Sequence, residues 1–129
     1  MSKLVLDASA ILAVLHKEPG SSHVEPHMAG SLVSSVNLAE VGARLSDQGM
    51  PMDAVQSVIA ALGMQVVAFD ETQAIASAAL RAKTRKFGLS LGDRACLALA
   101  ERERLPVMTG DRTWAQLTIG FEIRVFRGG

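Results

Sequence analysis

The 129-residue chain has few of the residues that would connect it covalently or anchor it to a membrane. Its single cysteine, Cys96, lies in an apolar run and excludes a disulfide within one chain, which favours a small core residue in a reducing compartment. No apolar stretch approaches the roughly 18 residues that a membrane span needs. Asp7 interrupts the N-terminal apolar run before a signal-peptide core could form. We therefore expect a cytoplasmic protein that makes no membrane contact.

Aromatic residues and net charge are also scarce. There is no tyrosine and only 4% of the residues are aromatic, which disfavours a β-sandwich. The 13 basic and 13 acidic residues cancel, so the chain as a whole does not attract nucleic acid. Phosphate binding must then depend on local clusters of one sign. The basic run at residues 81–86 is one such cluster, although a run of this kind is more often a solvated helix face.

Short apolar runs alternate along the chain with helical patterns. Because the runs are nearly continuous in hydrophobicity, we expect strands that are covered on both faces. The alternation predicts a doubly wound α/β sheet in a single domain over residues 1–129. The predicted strands are 4–6, 31–34, 65–69, 106–109 and 122–126. The predicted helices are 8–16, 21–28, 36–48, 52–62, 71–86 and 91–104.

Four carboxylates lie where such a fold would gather them: Asp7, Glu40, Asp93 and Asp111. Two of them follow predicted strands, one lies a turn into a helix, and one lies at the start of a helix. Ligands of open parallel sheets bind outside the carboxyl ends of the strands, so acids distant in sequence can meet there. Clustered carboxylates repel one another unless a cation neutralises them, and a hard divalent ion prefers oxygen ligands. The pattern predicts a metal-loaded acidic pocket.

Each acid also has an ordinary structural explanation. Asp7 and Asp111 could cap the helices that follow them, and Ser90 with Asp93 forms a capping-box pattern. Glu40 could simply pair with a basic residue four positions later. Glu40 is the most informative of the four, because an interior helical position needs no acid.

These segments resemble the PIN-domain ribonucleases, and specifically the VapC toxins of bacterial toxin–antitoxin pairs. The resemblance covers nearly the whole chain. It is carried by Leu-Val-Leu-Asp-Ala-Ser-Ala at 4–10, Ser-Ser-Val-Asn-Leu-Ala-Glu-Val at 34–41, Leu-Ser-Leu-Gly-Asp at 89–93 and Val-Met-Thr-Gly-Asp at 107–111. It implies a three-layer α/β/α fold with about five parallel strands. It also implies an Mg²⁺- or Mn²⁺-dependent endoribonuclease that uses Asp7, Glu40, Asp93 and Asp111 as catalytic and metal-binding acids.

Further expectations concern the surroundings of these acids. Thr109 would support a carboxylate or a water molecule next to the metal, and Arg94 and Arg112, which flank two of the acids, could contact RNA phosphates. A water activated by the metal would hydrolyse the phosphodiester. The resemblance also implies a small cognate antitoxin and a homodimer, and the apolar helix predicted at 52–62 could serve either contact.

Two other functions remain open from the sequence. One is a phosphoacceptor receiver domain of similar fold, with Asp70 as the acceptor, although the first strand ends in one acid rather than two. Asp70 is better explained as the cap of the following helix, with Gln73 at the capping-box position. The other is a PIN-domain nuclease with a housekeeping role instead of a toxin.

Overall fold

A computed structural model of the protein describes residues 3–127. The strands are β1 (Val5–Leu6), β2 (Leu32–Ser34), β3 (Gln65–Val67), β4 (Val107–Thr109) and β5 (Ile123–Val125). The α-helices are α1 (Ala8–Leu15), α2 (Ser35–Asp47), α3 (Met52–Ala61), α4 (Glu71–Ala79), α5 (Arg81–Thr84) and α6 (Leu91–Glu103). Short 3-10 helices cover Ser21–His23, Glu25–His27, Arg85–Phe87 and Arg112–Gln116.

All neighbouring strands pair in parallel, in the order β3-β2-β1-β4-β5. The chain adds strands on one side of β1 and then returns to the other side, so the winding direction reverses between β1 and β4. Val5 is in register with Val107, and Leu6 with Met108, across this junction. The crevice at such a reversal is where doubly wound sheets bind ligands. Asp7 and Asp111 follow the two strands that border it.

The sheet lies between two apolar layers, because successive side chains of a strand point to opposite faces. Leu4 and Leu6 pack into a core with α1, α2 and α3, whereas Val5 packs into a second core. That second core includes the inward face of α6 and the buried Trp114. Cys96 is buried in it, as its apolar surroundings predicted. The three-layer α/β/α prediction is confirmed.

Two predicted helices differ from the structure. The helix predicted over 21–28 is a pair of 3-10 turns, with Pro26 in the second turn. The helix predicted over 71–86 is interrupted at Leu80, which is buried. Thr84 donates a hydrogen bond to the carbonyl of Leu80 at 2.9 Å. A threonine bonded back to the preceding turn bends a helix, which accounts for the interruption.

Within residues 3–127, no helix is both long enough and apolar enough to cross a lipid bilayer.

Candidate metal and active site

Asp7 is the most buried of the four acids, with 6% of its surface exposed. It stands immediately before α1, but its side chain makes no capping hydrogen bond to that helix. Its Oδ2 atom instead accepts hydrogen bonds from Ser9 Oγ at 2.6 Å and Thr109 Oγ1 at 3.0 Å. The capping explanation for Asp7 is therefore wrong, and its carboxylate is held at the edge between β1 and β4.

The electrostatic environment of Asp7 opposes its ionisation. Burial, and to a smaller extent the charges of Asp93 and Glu40, raise the pKa of Asp7 from 3.8 to about 6 against the opposing hydrogen bonds of Ser9 and Thr109. Burial chiefly, and then the charges of Asp7, Asp93 and Glu40, raise the pKa of the Cys96 thiol. Because the same acids act on two neighbouring buried groups, three of the predicted acids converge on one place.

Glu40 is fixed by a contact that joins α2 to α6. Asn37 is fully buried, and its Nδ2 atom donates both to Glu40 Oε1 at 2.9 Å and to the carbonyl of Gly92 at 3.0 Å. The described residues contain no ion pair between Glu40 and Arg44, so the helix-pair explanation fails. Glu40 faces the first turn of α6, next to Asp93.

Asp93 and Asp111 do act as caps. Asp93 and Ser90 complete a capping box, with Asp93 Oδ2 accepting from the Ser90 amide at 2.9 Å. Asp111 Oδ1 accepts from the amide and the hydroxyl of Thr113 at 3.0 and 2.8 Å. A capping carboxylate keeps further lone pairs free, so the cap does not exclude metal binding.

Asp111 is connected to Asp7 through Thr109. The amide of Asp111 donates to Thr109 Oγ1 at 3.1 Å, and the same hydroxyl donates to Asp7. Ser9 Oγ, which donates to Asp7, also accepts a hydrogen bond from the Gly110 amide at 2.9 Å. The turn after β4 is thereby connected to the carboxylate after β1, and Thr109 has the contact that its predicted supporting role requires.

The two predicted phosphate ligands have different surroundings. Arg94 is directed at α4: its Nη1 atom donates to the carbonyl of Ser77 at 3.2 Å, and its Nε atom is buried. Arg112 is exposed beside a surface depression that Glu18 and Arg127 also line. The predicted phosphate contact of Arg94 would require its side chain to leave α4. Both assignments stay predictions.

Sequence reasoning did not assign a role to Ser9, Asn37 or Gly92. Ser9 and Asn37 lie two and three residues from an acid, and polar residues at those separations were the available signal. Gly92 carried no signal, because its role depends on a residue of another helix. Asp70, the receiver alternative, follows the edge strand β3 and caps α4 by accepting from the Gln73 amide at 2.9 Å. The capping interpretation of Asp70 is confirmed, and Asp70 lies away from the winding reversal.

No three Asp, Glu, His or Cys side chains of residues 3–127 lie close enough together to ligate one ion directly. The donor chemistry still suits a hard cation. Mg²⁺ is bound through one or two carboxylates and keeps several waters, so it does not need a complete protein cage. Burial chiefly, and then the charges of Asp93 and Glu40, disfavour the ionised form of Asp7, and a bound cation would offset both effects.

Comparison with known proteins places the chain in a family. The PIN domain profile matches residues 4–119, and the chain belongs to this family, whose chemistry is that of nucleases. That membership, together with the position of Asp70, leaves the receiver alternative without support. A comparison with curated protein sequences found no match.

Solved structures share the fold at low sequence identity. A toxin–antitoxin complex from Klebsiella pneumoniae has a chain that is 19% identical, with a TM-score of 0.75 and 98% of each chain covered. A chain of the DNA-bound VapBC from Salmonella typhimurium is 19% identical, with a TM-score of 0.73 and coverage of 98% of this chain and 100% of that one. A chain of VapBC-5 from Mycobacterium tuberculosis is 22% identical, with a TM-score of 0.59 and coverage of 99% and 100%.

Proposed function

We propose that this PIN-domain protein is a divalent-metal-dependent endoribonuclease that acts as the toxin of a toxin–antitoxin pair. The observation that carries the nuclease proposal is the buried carboxylate of Asp7, whose pKa is raised chiefly by burial and then by the charges of Asp93 and Glu40. Repulsion between carboxylates destabilises a folded protein unless a bound cation neutralises their charge. PIN-family membership supports the nuclease class, and the toxin–antitoxin complexes among the structural neighbours support the toxin role.

Asp7 and Asp93 would be the primary ligands of one or two Mg²⁺ or Mn²⁺ ions. Glu40 and Asp111 would take part through water or at a second ion, because no three side chains of the described segment lie close enough to ligate one ion directly. When bound, the ion supplies a more acidic water as the nucleophile and stabilises charge on the leaving oxygen.

The surrounding residues position these ligands. Ser9 and Thr109 donate to the same oxygen of Asp7, which fixes that carboxylate and leaves its Oδ1 atom free of the two bonds. Asn37 orients Glu40, and the capping box orients Asp93. Hydrogen-bonded supports of this kind set the direction in which a ligand presents its lone pairs. These hydrogen bonds thus orient the carboxylates before a metal ion or RNA binds.

A conservative substitution tests this function. Asp7→Asn keeps the shape of the side chain but removes its charge, and RNA cleavage in Mg²⁺ or Mn²⁺ should fall to background while the protein stays folded. Asp53→Asn, at an exposed position in α3, is the matched control and should cleave at the wild-type rate. Chelation of the metal should stop the wild-type reaction. Wild-type turnover by Asp7→Asn would exclude Asp7 as a ligand.

The toxin role requires a separate experiment. Expression of the wild type should arrest growth, co-expression of a small antitoxin encoded beside it should restore growth, and Asp7→Asn should have no effect. If the wild type cleaves RNA in vitro but its expression leaves growth unchanged, the housekeeping alternative is favoured.

The partner contacts would use the groove between α2 and α3. Its volume is about 570 Å³, and it is lined mainly by apolar and small side chains, including Leu38, Val55 and Ile59. Met52 at its margin is 59% exposed. We assign this surface to the antitoxin or to a second copy of the chain. Met52→Glu together with Ile59→Glu should abolish one of those two associations, as measured by light scattering with and without antitoxin.

A further inference from the structure

A basic groove lies between the segment after α4 and the segment after β4. Its volume is about 680 Å³. One wall carries Lys83, Arg85, Lys86 and Phe87, and the other carries Gln116 and Thr118. Of the residues that the structure describes, none that lines the groove is acidic. Because the chain as a whole has no net charge, three cations on one concave surface form a strong local asymmetry.

The cations of this groove form no ion pair within the described residues. Lys83 and Arg85 are exposed. The ammonium of Lys86 lies 5.2 Å from the centre of the Phe87 ring, and that ring packs partly into the second core. The contact with the ring keeps the Lys86 charge at the groove. A merely solvated helix face would be convex, whereas these residues line a concave surface.

Both walls of the groove lead directly to predicted acids. Gly88, Leu89 and Ser90 connect Phe87 to the first turn of α6, so the Cα atoms of Phe87 and Asp93 lie within about 16 Å. Asp111 caps the 3-10 helix that ends at Gln116. The Cα atoms of these two residues are therefore about 10 Å apart along the helix axis. A polyanion in the groove would therefore extend toward the acidic pocket.

We infer that this groove binds the single-stranded RNA substrate by its phosphates, next to the acids that cut it. The inference rests on the proposed ribonuclease function for the class of ligand. A pocket of carboxylates repels RNA, so a neighbouring cationic surface is needed to offset that repulsion. Gln116 and Thr118 supply hydrogen-bonding groups opposite the cations, which suits the 2′-hydroxyls and base edges of RNA. A flat anionic lipid surface would not enter a concave groove.

The test measures binding without cleavage. A short labelled single-stranded RNA is titrated in EDTA with the wild type and with the groove variant Lys83→Ala/Arg85→Ala/Lys86→Ala. The charge-matched control is Lys3→Ala/Arg44→Ala/Arg102→Ala, which removes three exposed cations outside the groove. The groove variant should bind about tenfold or more weakly, and the control should stay within about twofold of the wild type.

Salt dependence gives a second readout. For a single strand, each lost phosphate contact lowers the slope of log affinity against log salt by about 0.7, so the groove variant should lose about 2. If the groove variant and the control lost RNA affinity equally, the inference would be overturned. A wild-type protein that binds anionic vesicles but no RNA would also overturn it. Groove-dependent RNA binding by a wild type that cleaves nothing in Mg²⁺ or Mn²⁺ would support the groove and reject the proposed function.

Discussion

The carboxylate of Glu40 occupies the space beside Gly92 in which any other residue would place its Cβ atom. An added Cβ would lie 2.6 Å from Glu40 Oε1, and a second contact to the other carboxylate oxygen would be shorter still. Asn37 donates hydrogen bonds to both residues. The contact between α2 and α6 therefore consists of the Glu40 carboxylate, the Asn37 amide and the backbone of Gly92. A glycine one residue before Asp93 thus determines where an acid of another helix can lie.

Gly92→Ala should lower the cleavage activity with little effect on the stability of the fold. Glu40 is exposed, so its carboxylate can rotate away from the added methyl group by giving up the hydrogen bond from Asn37, and alanine is the better helix former by roughly 1 kcal/mol. We expect the free energy of unfolding to change by no more than about that amount, whereas metal-dependent cleavage falls about tenfold or more because Glu40 is displaced. Urea unfolding and a cleavage assay measure the two effects.

Gly42→Ala is the matched control, because Gly42 also lies within a helix and an added Cβ would meet only Val55 Cγ1 at an ordinary 3.7 Å. It should keep wild-type activity. Wild-type cleavage by Gly92→Ala would contradict the role assigned to the contact between Glu40 and residue 92.

Asn37→Asp should destabilise the protein at neutral pH. The substitution removes the Nδ2 donor from Glu40 and from the Gly92 carbonyl, and it places a carboxylate at a fully buried position beside an acid. An unsatisfied buried group costs about 1–3 kcal/mol, and an added charge costs more. The loss in the free energy of unfolding should become smaller as pH falls, because the protonated carboxyl group introduced at position 37 is neutral and can donate a hydrogen bond. Chemical unfolding at several pH values measures this, and wild-type stability at pH 7 would contradict it.

Asp7 should make the metal-free protein less stable as pH rises from about 4 to 6. Below that window both folded and unfolded chains hold the proton; within it only the folded chain does, because its pKa is about 6 against 3.8. That difference corresponds to about 3 kcal/mol, reached at about pH 6 and constant above it.

Asp7→Asn should lack this decline in stability and should be more stable than the wild type at pH 8 in EDTA. Unfolding by urea across this pH range measures both effects, and Asp53→Asn should keep the wild-type profile. An Asp7→Asn variant that is less stable than the wild type at pH 8 would show that its ionised carboxylate stabilises the fold.

Thr109→Val should weaken metal activation without altering the shape of the side chain. The hydroxyl donates to Asp7 and accepts from the Asp111 amide, so valine leaves both without that partner. Loss of such a support typically costs about 10–100-fold in metal affinity or activity. The Mn²⁺ concentration that gives half-maximal cleavage should rise accordingly. Thr72→Val, at an exposed position in α4, should leave it unchanged, and equal curves for the two variants would remove the assigned role of Thr109.

Local sequence signals were sufficient for most of the architecture. Apolar runs located all five strands, although each observed strand is shorter than its predicted range. Start signals such as Ser90 with Asp93, and Asp70 with Gln73, marked the helix beginnings because a cap acts over three residues. The break at Leu80 was missed, because the sequence alone does not show that the buried Thr84 hydroxyl bonds back to the carbonyl of Leu80.

The site was predictable only in part, for the same reason. The positions of the four acids followed from strand ends and helix starts, but their supports depend on contacts distant in sequence. Thr109 and Asp7 are 102 residues apart, and Asn37 and Gly92 are 55 apart. A single sequence carries no periodic signal for such pairs. The acids could therefore be named in advance, whereas the contact between Asn37 and Gly92 could not.

We propose that Asp7, Glu40 and Asp93 together hold a divalent ion, partly through bound water. Calorimetric titration of the metal-free protein with Mn²⁺ tests it most directly, comparing the wild type with Asp7→Asn/Glu40→Gln/Asp93→Asn. The wild type should bind Mn²⁺, and the triple variant should show no saturable binding while remaining folded. Equal Mn²⁺ affinity in the two proteins would contradict the claim.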